Sequence, residues 1–348
     1  MLDVMRFWLD RGVDGFRVDV MWHMVKDERL RDNPPNPDHS PDQPPYEALL
    51  PVFSTDQPEV HDIVRRMREL TDGYDERLII GEIYLPISKL VTYYGEDGRG
   101  AHLPFNFHLI TMPWDAAHIG AAVSEYEGAL PPHGWPNWVL GNHDQPRVAS
   151  RVGAGQARVA AMLLLTLRGT PTLYYGDELG MPDVAIPPER VRDPQALNMP
   201  GVGRSRDTAR TPMQWTAGEH AGFSTSDPWL PVSAAHDRDN VAVQRDDPDS
   251  MLSLHRRLLA LRRAEPALSV GGWDPVPAPQ DVLAYVREAE GRRFLVALNL
   301  GHAPAILEPE HDPVAGEIVC ATRVAREGER VERRIELAGD EGVVVKLE

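Results

Sequence analysis

The sequence predicts an α/β fold followed by an all-β module. Short apolar runs alternate with helical patterns along residues 1–265 of the 348-residue chain. This alternation is typical of parallel β/α units with right-handed crossovers. After Pro266 the apolar period changes to two, in residues 282–286 and 294–298, with a turn between them. We therefore expect two domains, residues 1–265 and residues 266–348.

Five strands are predicted in the first domain, each from a short apolar run: residues 15–20, 78–83, 103–107, 138–143 and 171–176. Helical patterns flank these runs, at residues 2–9, 58–70, 115–130, 156–168 and 251–263. Two Pro-rich stretches without long periodic segments, residues 23–57 and 180–249, are predicted to form loops over one face. A complete (β/α)8 barrel of the TIM type has eight strands, so five strands predict part of one.

Composition and charge exclude several classes of function. A hydrophobic content of 42% and a charged content of 26% are those of an ordinary soluble globular protein. The net charge of −17 argues against a nucleic-acid or anionic-membrane partner, because both need a basic patch. No apolar run reaches the ~18 residues of a membrane span, and Met1–Asp10 lacks the features of a signal peptide. The single cysteine, Cys320, excludes an internal disulfide and fits a reducing compartment, so we expect a cytoplasmic protein.

The first predicted strand carries an unusual pair of charges. Its side chains alternate between two faces, so Phe16, Val18 and Val20 point one way while Arg17 and Asp19 point the other way. A strand in a parallel α/β sheet is covered on both faces and is mostly apolar. Two charges on its inner face are therefore unfavourable unless they pair or take part in chemistry. A structural ion pair and a catalytic pair are both consistent with this stretch alone.

Carboxylates follow three of the predicted strands. Asp19 ends the first, Glu82 ends the second, and His143 and Asp144 end the fourth. In a barrel the carboxyl ends of the strands share one mouth. Like charges in one pocket push their pKa values apart, which leaves one carboxyl protonated and another ionised. A proton donor beside an anionic nucleophile is what glycosidic cleavage needs, with about 5–5.5 Å between the carboxyl groups for retention and about 6.5–9.5 Å for inversion.

Three motifs at these strand ends resemble ordered signature regions of the α-amylase family of glycoside hydrolases: Gly15-Phe16-Arg17-Val18-Asp19, Gly81-Glu82-Ile83-Tyr84 and Gly141-Asn142-His143-Asp144. Two further stretches are similar to the α-glucosidase and oligo-1,6-glucosidase branch: residues 170–178 and Arg210-Thr211-Pro212-Met213-Gln214-Trp215. The resemblance covers nearly the whole chain and is weakest in the C-terminal β-module.

The resemblance implies catalytic roles for three residues. Asp19 would be the nucleophile that forms a covalent β-glucosyl intermediate, and Arg17 would hold it ionised and oriented. Glu82 would act first as the general acid and then as the base that activates water. This mechanism requires no metal and no organic cofactor. The structural alternative is that Arg17 serves only as the ion-pair partner of Asp19.

The resemblance also implies residues that hold the sugar. Asp144 would grip sugar hydroxyls more strongly as the ring distorts, and His143 would hydrogen-bond beside it. Arg210 would line the same pocket. The structural alternatives are a satisfied core histidine at position 143 and a capping role for Asp144.

The function implied is that of a retaining α-glucosidase acting on the non-reducing ends of short α-glucosides. Val20, after the nucleophile, resembles enzymes that prefer α-1,6 links. A transglucosylase or isomerase such as trehalose synthase would share the intermediate and change the acceptor. A non-catalytic family member used as a scaffold is a third hypothesis, although all three carboxylates are intact.

The family pattern begins earlier than this sequence does. Its first signature, an Asn-His pair after the third barrel strand, is not found here, nor is the small inserted domain that follows that strand. The resemblance thus implies strands 4 to 8 of the barrel with a C-terminal β-sandwich. We expect a truncated chain that is unstable and weakly active or inactive by itself, because an incomplete barrel exposes strand edges and apolar surface.

Overall fold

The computed structural model describes residues 1–40, 43, 45–199, 205–309 and 314–348. Its helices, numbered in chain order, are α1 Leu2–Leu9, α2 Val60–Thr71, α3 Ile87–Leu90, α4 His108–Thr111, α5 Ala116–Ala129, α6 Val148–Thr166, α7 Pro194–Asn198, α8 Val241–Asp246, α9 Met251–Ala264 and α10 Pro266–Ser269. Within the described part of the chain, none of the helices combines the length and apolar character needed to cross a bilayer.

The strands fall into an early group and a late group. The early strands are β1 Gly15–Val18, β2 Leu78–Gly81, β3 Leu103–Pro104, β4 Asn137–Val139 and β5 Thr170–Thr172. The late strands are β6 Asp274–Val276, β7 Val282–Ala289, β8 Arg292–Asn299, β9 Ala305–Leu307, β10 Val314–Ala321, β11 Arg330–Arg333, β12 Ile335–Leu337 and β13 Gly342–Leu347. All five early strands overlap the predicted apolar runs and are shorter than predicted, and β4 and β5 begin one residue earlier than predicted.

The two predicted loops contain only short helical pieces among their described residues. The first loop holds two short 3-10 helices, Met21–His23 and Pro45–Ala48. The second holds α7, α8 and several further 3-10 turns. Residues 41, 42 and 44 of the first loop and 200–204 of the second lie outside the described residues.

The chain divides into two compact units. The first comprises residues 1–107 and 125–137, and the second comprises residues 108–124 and 138–348. This division cuts the early strands between β3 and β5, and it keeps the late β-strands together with α6 and α9. The predicted domain boundary at residue 265 does not coincide with a boundary between these units, and it stays a prediction.

The first unit is built on a parallel sheet with the order β1-β2-β3. The register pairs Gly15 with Leu78 and Val18 with Gly81, so β1 and β2 end side by side. Gly15 permits this close approach, because a Cβ atom there would collide with the carbonyl oxygen of Leu78. The strand ends at Val18 rather than at Val20, because Val20 has a left-handed backbone with φ 38°.

The second unit combines a buried helix with antiparallel sheets. A six-stranded sheet has the order β11-β10-β13-β8-β7-β6, and β12 pairs with β9 in a second small sheet. Helix α6 begins at Val148, eight residues before the predicted start, and a non-helical residue, Gly153, kinks it. The segment consists of two helical stretches that meet at Gly153, and the sequence analysis predicts only the second of them.

Two buried arginines close the carboxyl end of α6. Arg262 donates to the carbonyl oxygens of Leu165, Leu167 and Leu268 at 2.6–3.0 Å. Arg287 donates to the carbonyl oxygen of Thr166 in the last turn. The last carbonyl groups of a helix have no partner within the helix, so these guanidinium groups satisfy them in place of water and tie the helix to the strand that carries Arg287.

Candidate active site

The first cluster of predicted site residues lies where β1 and β2 end. Because Val18 is paired with Gly81, the residues just beyond these strands emerge next to each other. Arg17 donates to the Asp19 carboxylate through Nη1, and its Nη2 atom forms an ion pair with Glu82 Oε2 at 3.0 Å. One guanidinium group therefore binds two carboxyl groups, which places Asp19 and Glu82 within one small site.

Glu82 and Asp19 differ strongly in exposure. Glu82 is only 5% exposed, whereas 74% of the Asp19 side chain is exposed. Glu82 Oε2 also accepts a hydrogen bond from the backbone N–H of Val20 at 2.9 Å. The left-handed backbone of Val20 directs that N–H group toward Glu82, so the strained residue after β1 contributes to holding this carboxyl group.

The pKa of Glu82 is raised above its ordinary value. Burial is the largest cause, and a hydrogen bond with Asp19 and the charge of Asp19 act in the same direction. The N–H of Val20 and the charge of Arg17 oppose the shift. A buried carboxyl group with a raised pKa keeps its proton at higher pH than a free one, so Glu82 is suited to donate a proton.

The second cluster lies in the turn that follows β4. The Oδ1 atom of Asn142 accepts hydrogen bonds from the N–H groups of Asp144 at 2.9 Å and Gln145 at 3.0 Å, which is an Asx turn. His143 Nε2 lies 3.3 Å from Asp144 Oδ2. Arg210 donates to the carbonyl oxygen of His143 at 2.8 Å and to Asp144 Oδ1 at 3.0 Å. The turn thus fixes Asp144 between a histidine and an arginine.

A second arginine, which the sequence analysis did not single out, also reaches this turn. Arg206 Nη1 donates to Asp144 Oδ1 at 3.1 Å. Its far side pairs with Asp193, with 2.6 Å between Nη2 and Oδ1. The signal that was available is proximity in sequence: Arg206 begins the 3-10 helix Arg206–Ala209 and Arg210 follows its end, and both guanidinium groups contact Asp144 Oδ1.

The six predicted site residues are thus found in two groups. Arg17, Asp19 and Glu82 lie together in the first unit, and His143, Asp144 and Arg210 lie together in the second. In each group the carboxyl groups form ion pairs with an arginine of the same group. The roles assigned to these residues stay predictions.

Known proteins resemble this chain along most of its length. The family described as α-amylase, catalytic domain, matches residues 1–271. Maltase A1 of Drosophila melanogaster is 37% identical over 333 residues, which cover 88% of this chain. The salivary α-glucosidase of Anopheles gambiae is 37% identical over 337 residues, which cover 91% of this chain. The chain spans about 57% and 56% of the lengths of these two relatives.

Solved structures agree with the family match. A crystal structure of the α-glucosyl transfer enzyme XgtA superposes with a TM-score of 0.90 at 34% identity, covering 100% of this chain and 66% of that one. The trehalose-6-phosphate hydrolase of Bacillus licheniformis gives a TM-score of 0.83 at 26% identity, covering 99% of this chain and 67% of that one. The expected architecture is confirmed in its coarser form, an α-amylase-type TIM-barrel catalytic domain with a C-terminal antiparallel sheet. The chain belongs to the α-amylase family.

Proposed function

We propose that this chain carries the catalytic residues of a retaining α-glucosidase that hydrolyses terminal α-glucosidic bonds of short gluco-oligosaccharides. The observation that carries the proposal is the guanidinium group of Arg17, which binds an exposed carboxylate and a buried carboxyl group of raised pKa. Relatives named maltase and α-glucosidase at 37% identity support the substrate class.

The two carboxyl groups fit a double displacement. A carboxylate oxygen of Asp19 attacks the anomeric carbon while Glu82 gives its proton to the departing glycosidic oxygen. Glu82, now ionised, then takes a proton from a water molecule whose oxygen attacks the same carbon and releases Asp19. Retaining enzymes place these groups about 5–5.5 Å apart, and a shared guanidinium group supports such a short separation. Arg17 stays bound to Asp19 and limits its movement.

A fluorinated glucoside that accumulates the glycosyl-enzyme tests this assignment. We expect mass spectrometry to show one added fluoroglucosyl group on the peptide that contains Asp19, and no addition to the Asp19→Asn variant. Glu82→Gln should slow the reaction more for poor leaving groups than for good ones. An adduct on another residue would contradict the assignment of Asp19, and the absence of any adduct in the unaltered protein would contradict the proposal and favour a non-catalytic family member.

Transfer of the glucosyl group to a sugar acceptor is the second candidate function. The superposition on the α-glucosyl transfer enzyme XgtA, with a TM-score of 0.90, favours it. Both reactions share the intermediate on Asp19 and differ in whether water or a sugar attacks. Measuring free glucose against transfer products separates them, and comparing maltose with isomaltose also tests the α-1,6 preference that Val20 suggests.

We also propose that β1 to β5 are strands 4 to 8 of the family barrel. The order of the motifs along the chain supports this assignment, as does the parallel pairing of β1, β2 and β3. Superposing an experimental structure of this protein on a complete α-glucosidase barrel tests it. The assignment fails if β1 falls on any strand other than the fourth.

A cytoplasmic location without a nucleic-acid partner is part of the proposal. The net charge of −17 supports the second point. The lone cysteine supports the first, since Cys320 is a buried free thiol whose pKa is raised to about 12 by burial and needs no oxidising compartment. Fractionation of the producing cells tests the location, and recovery in the medium would contradict it.

A further inference from the structure

Arg206 differs from Arg210 in being held from both sides. Its Nη1 atom donates to Asp144 Oδ1 at 3.1 Å, as the Arg210 guanidinium group also does. Its Nη2 atom lies 2.6 Å from Asp193 Oδ1, and its Nε atom lies 3.1 Å from each oxygen of that carboxylate. Arg206 is therefore a bridge between two carboxylates, only one of which belongs to the predicted sugar site.

Asp193 is itself fixed by a reciprocal set of backbone hydrogen bonds. Asp193 is 1% exposed, and its Oδ2 atom accepts the N–H of Arg206 at 2.8 Å. In return, Asp207 Oδ2 accepts the N–H groups of Arg192 at 2.7 Å and Asp193 at 2.8 Å. Two buried carboxylates thus hold two short segments, residues 192–193 and 206–207, together through hydrogen bonds from backbone N–H groups.

The hydrogen bonds and the ion pair with Asp193 leave Arg206 little freedom to move. Pairing with Arg206 lowers the pKa of Asp193 to about 2, so the Asp193 carboxylate is charged at neutral pH. If the Arg206 side chain turned toward solvent, that buried charge would lose its cation, which is strongly unfavourable. Because Asp193 holds one edge of the planar guanidinium group, the opposite edge must remain at Asp144.

We propose that Asp193 and Arg206 form a positioning pair that fixes the Asp144 carboxylate and its turn for sugar binding. The sugar-binding part rests on the proposed function, whereas the fixing of the turn does not. Arg206 and Asp193 act through Asp144. Asp193 stands 49 residues after Asp144 in the sequence, and it acts on the turn only through the Arg206 side chain.

A nearby ion pair provides a matched control. Arg190 lies 3.1 Å from Asp227 and also donates to the backbone carbonyl groups of Pro228 and Trp229. It belongs to the same loop region, but the Asp227 side chain is 73% exposed. Asp227→Asn removes the carboxylate charge that pairs with Arg190, just as Asp193→Asn removes the one that pairs with Arg206. The Arg190–Asp227 pair lies in a different part of the loop.

Amide hydrogen exchange on the full chain tests the positioning without requiring activity. We expect Asp193→Asn and Arg206→Gln to speed amide exchange in the peptide 142–147 by about tenfold or more, because the turn loses the fixed contact between Arg206 and Asp144. Arg206→Lys should recover part of the protection, since it keeps the charge, and Asp227→Asn should leave this peptide unchanged. Exchange within α9 serves as the check that each variant is folded. Unchanged exchange at 142–147, with faster exchange only at 190–207, would overturn the proposal.

Kinetics of trapping with the fluorinated glucoside test the link to the sugar. We expect Asp193→Asn to weaken the apparent binding constant about tenfold or more with a smaller effect on the limiting rate, and Asp227→Asn to change neither. Normal trapping by Asp193→Asn would overturn the sugar-binding part. If the unaltered protein formed no adduct, the proposed function would fail, and the exchange experiment would still decide whether the pair holds the turn.

Discussion

The two clusters of predicted site residues have opposite ratios of cations to carboxylates. At the ends of β1 and β2, one guanidinium group, that of Arg17, binds both Asp19 and Glu82. In the turn after β4, two guanidinium groups, those of Arg206 and Arg210, bind the single carboxylate of Asp144. Both clusters pair arginine side chains with carboxyl groups, so we attribute their different properties to the ratio and the burial.

The difference matches what each cluster is proposed to do. Where one cation serves two carboxyl groups and one of these is buried, the pKa of the buried group rises, which suits proton transfer. Where two cations hold one carboxylate, its position is fixed from two directions, which suits recognition of sugar hydroxyls. Burial and the neighbouring Asp19 thus raise the pKa of the proton donor in the first cluster, and two cations hold the carboxylate in place in the second.

Removing the only cation of the first cluster should have the largest effect. We expect Arg17→Met to lower the rate of adduct formation on Asp19 on the order of 10³-fold, comparable to the loss of a preorganised donor at a reacting centre. Arg17→Lys should retain more of the rate, because it keeps a charge while losing the two-pronged contact. A loss of less than tenfold in Arg17→Met would mean that the shared guanidinium group is only structural.

Another buried carboxyl group, that of Asp177, extends the comparison. Its pKa is affected by the charges of Arg147, Arg151 and Glu178. Asp177 is 5% exposed, and its Oδ1 atom has no hydrogen-bond partner among the described residues. Burial raises its pKa to about 7, against the opposing charge of buried Arg147. Because the folded-state pKa lies above the unfolded-state value, the neutral group favours the folded state below about pH 4, and this contribution is lost as the pH rises to about 7.

Asp177→Asn should therefore flatten the dependence of stability on pH. We expect the unaltered protein to lose up to about 4 kcal/mol of unfolding free energy between pH 4 and pH 8 through this group, at roughly 1.4 kcal/mol per pKa unit. Urea unfolding at several pH values measures the loss, and Asp227→Asn, at an exposed carboxylate, is the control. Parallel curves for Asp177→Asn and the unaltered protein would show that Asp177 is not the group responsible.

The second cluster predicts a smaller, non-additive loss. We expect Arg206→Gln and Arg210→Gln each to lower the apparent sugar affinity about 10- to 100-fold, the range for a hydrogen bond to a charged group. Either arginine still holds Asp144 Oδ1 when the other is lost, so the double variant should lose more than the product of the single effects. Measuring the binding constant of the fluorinated glucoside for all four proteins gives this coupling. Strict additivity would mean that the two arginines do not share Asp144.

The residues at strand ends could be predicted because the physics that places them is local. Alternation along one strand separates Arg17 from Phe16, and a parallel sheet brings Asp19 and Glu82 to neighbouring ends whatever lies between them in sequence. The same reasoning could not find the exact end of β1. The left-handed backbone of Val20 occurs together with a hydrogen bond to Glu82, which lies 62 residues away.

The pairing of Arg206 with Asp193 escaped prediction for a related reason. Residues 180–249 have no regular period, so no pattern indicates which charged side chain faces which. The contact of Arg206 with Asp144 spans 62 residues, and it depends on how that loop folds back. Buried ion pairs between irregular segments require the tertiary structure, whereas charges at strand ends require only the strand order.

The smallest expected effect is a displacement of the Glu82 titration. Asp19 raises the pKa of Glu82 both through a hydrogen bond and through its negative charge. Asp19→Asn keeps a side chain of similar size and removes that charge, so the pKa of Glu82 should fall toward its ordinary value. Carbon-13 NMR of the glutamate carboxyl groups measures the shift of the Glu82 pKa without requiring activity, and Glu82→Gln identifies the signal.

Asp144→Asn, in the cluster with two cations, is the matched control and should leave the Glu82 midpoint unchanged. If the midpoint rose or stayed constant in Asp19→Asn, the hydrogen bond and the charge of Asp19 would not contribute to the raised pKa of Glu82, and burial alone would have to account for it.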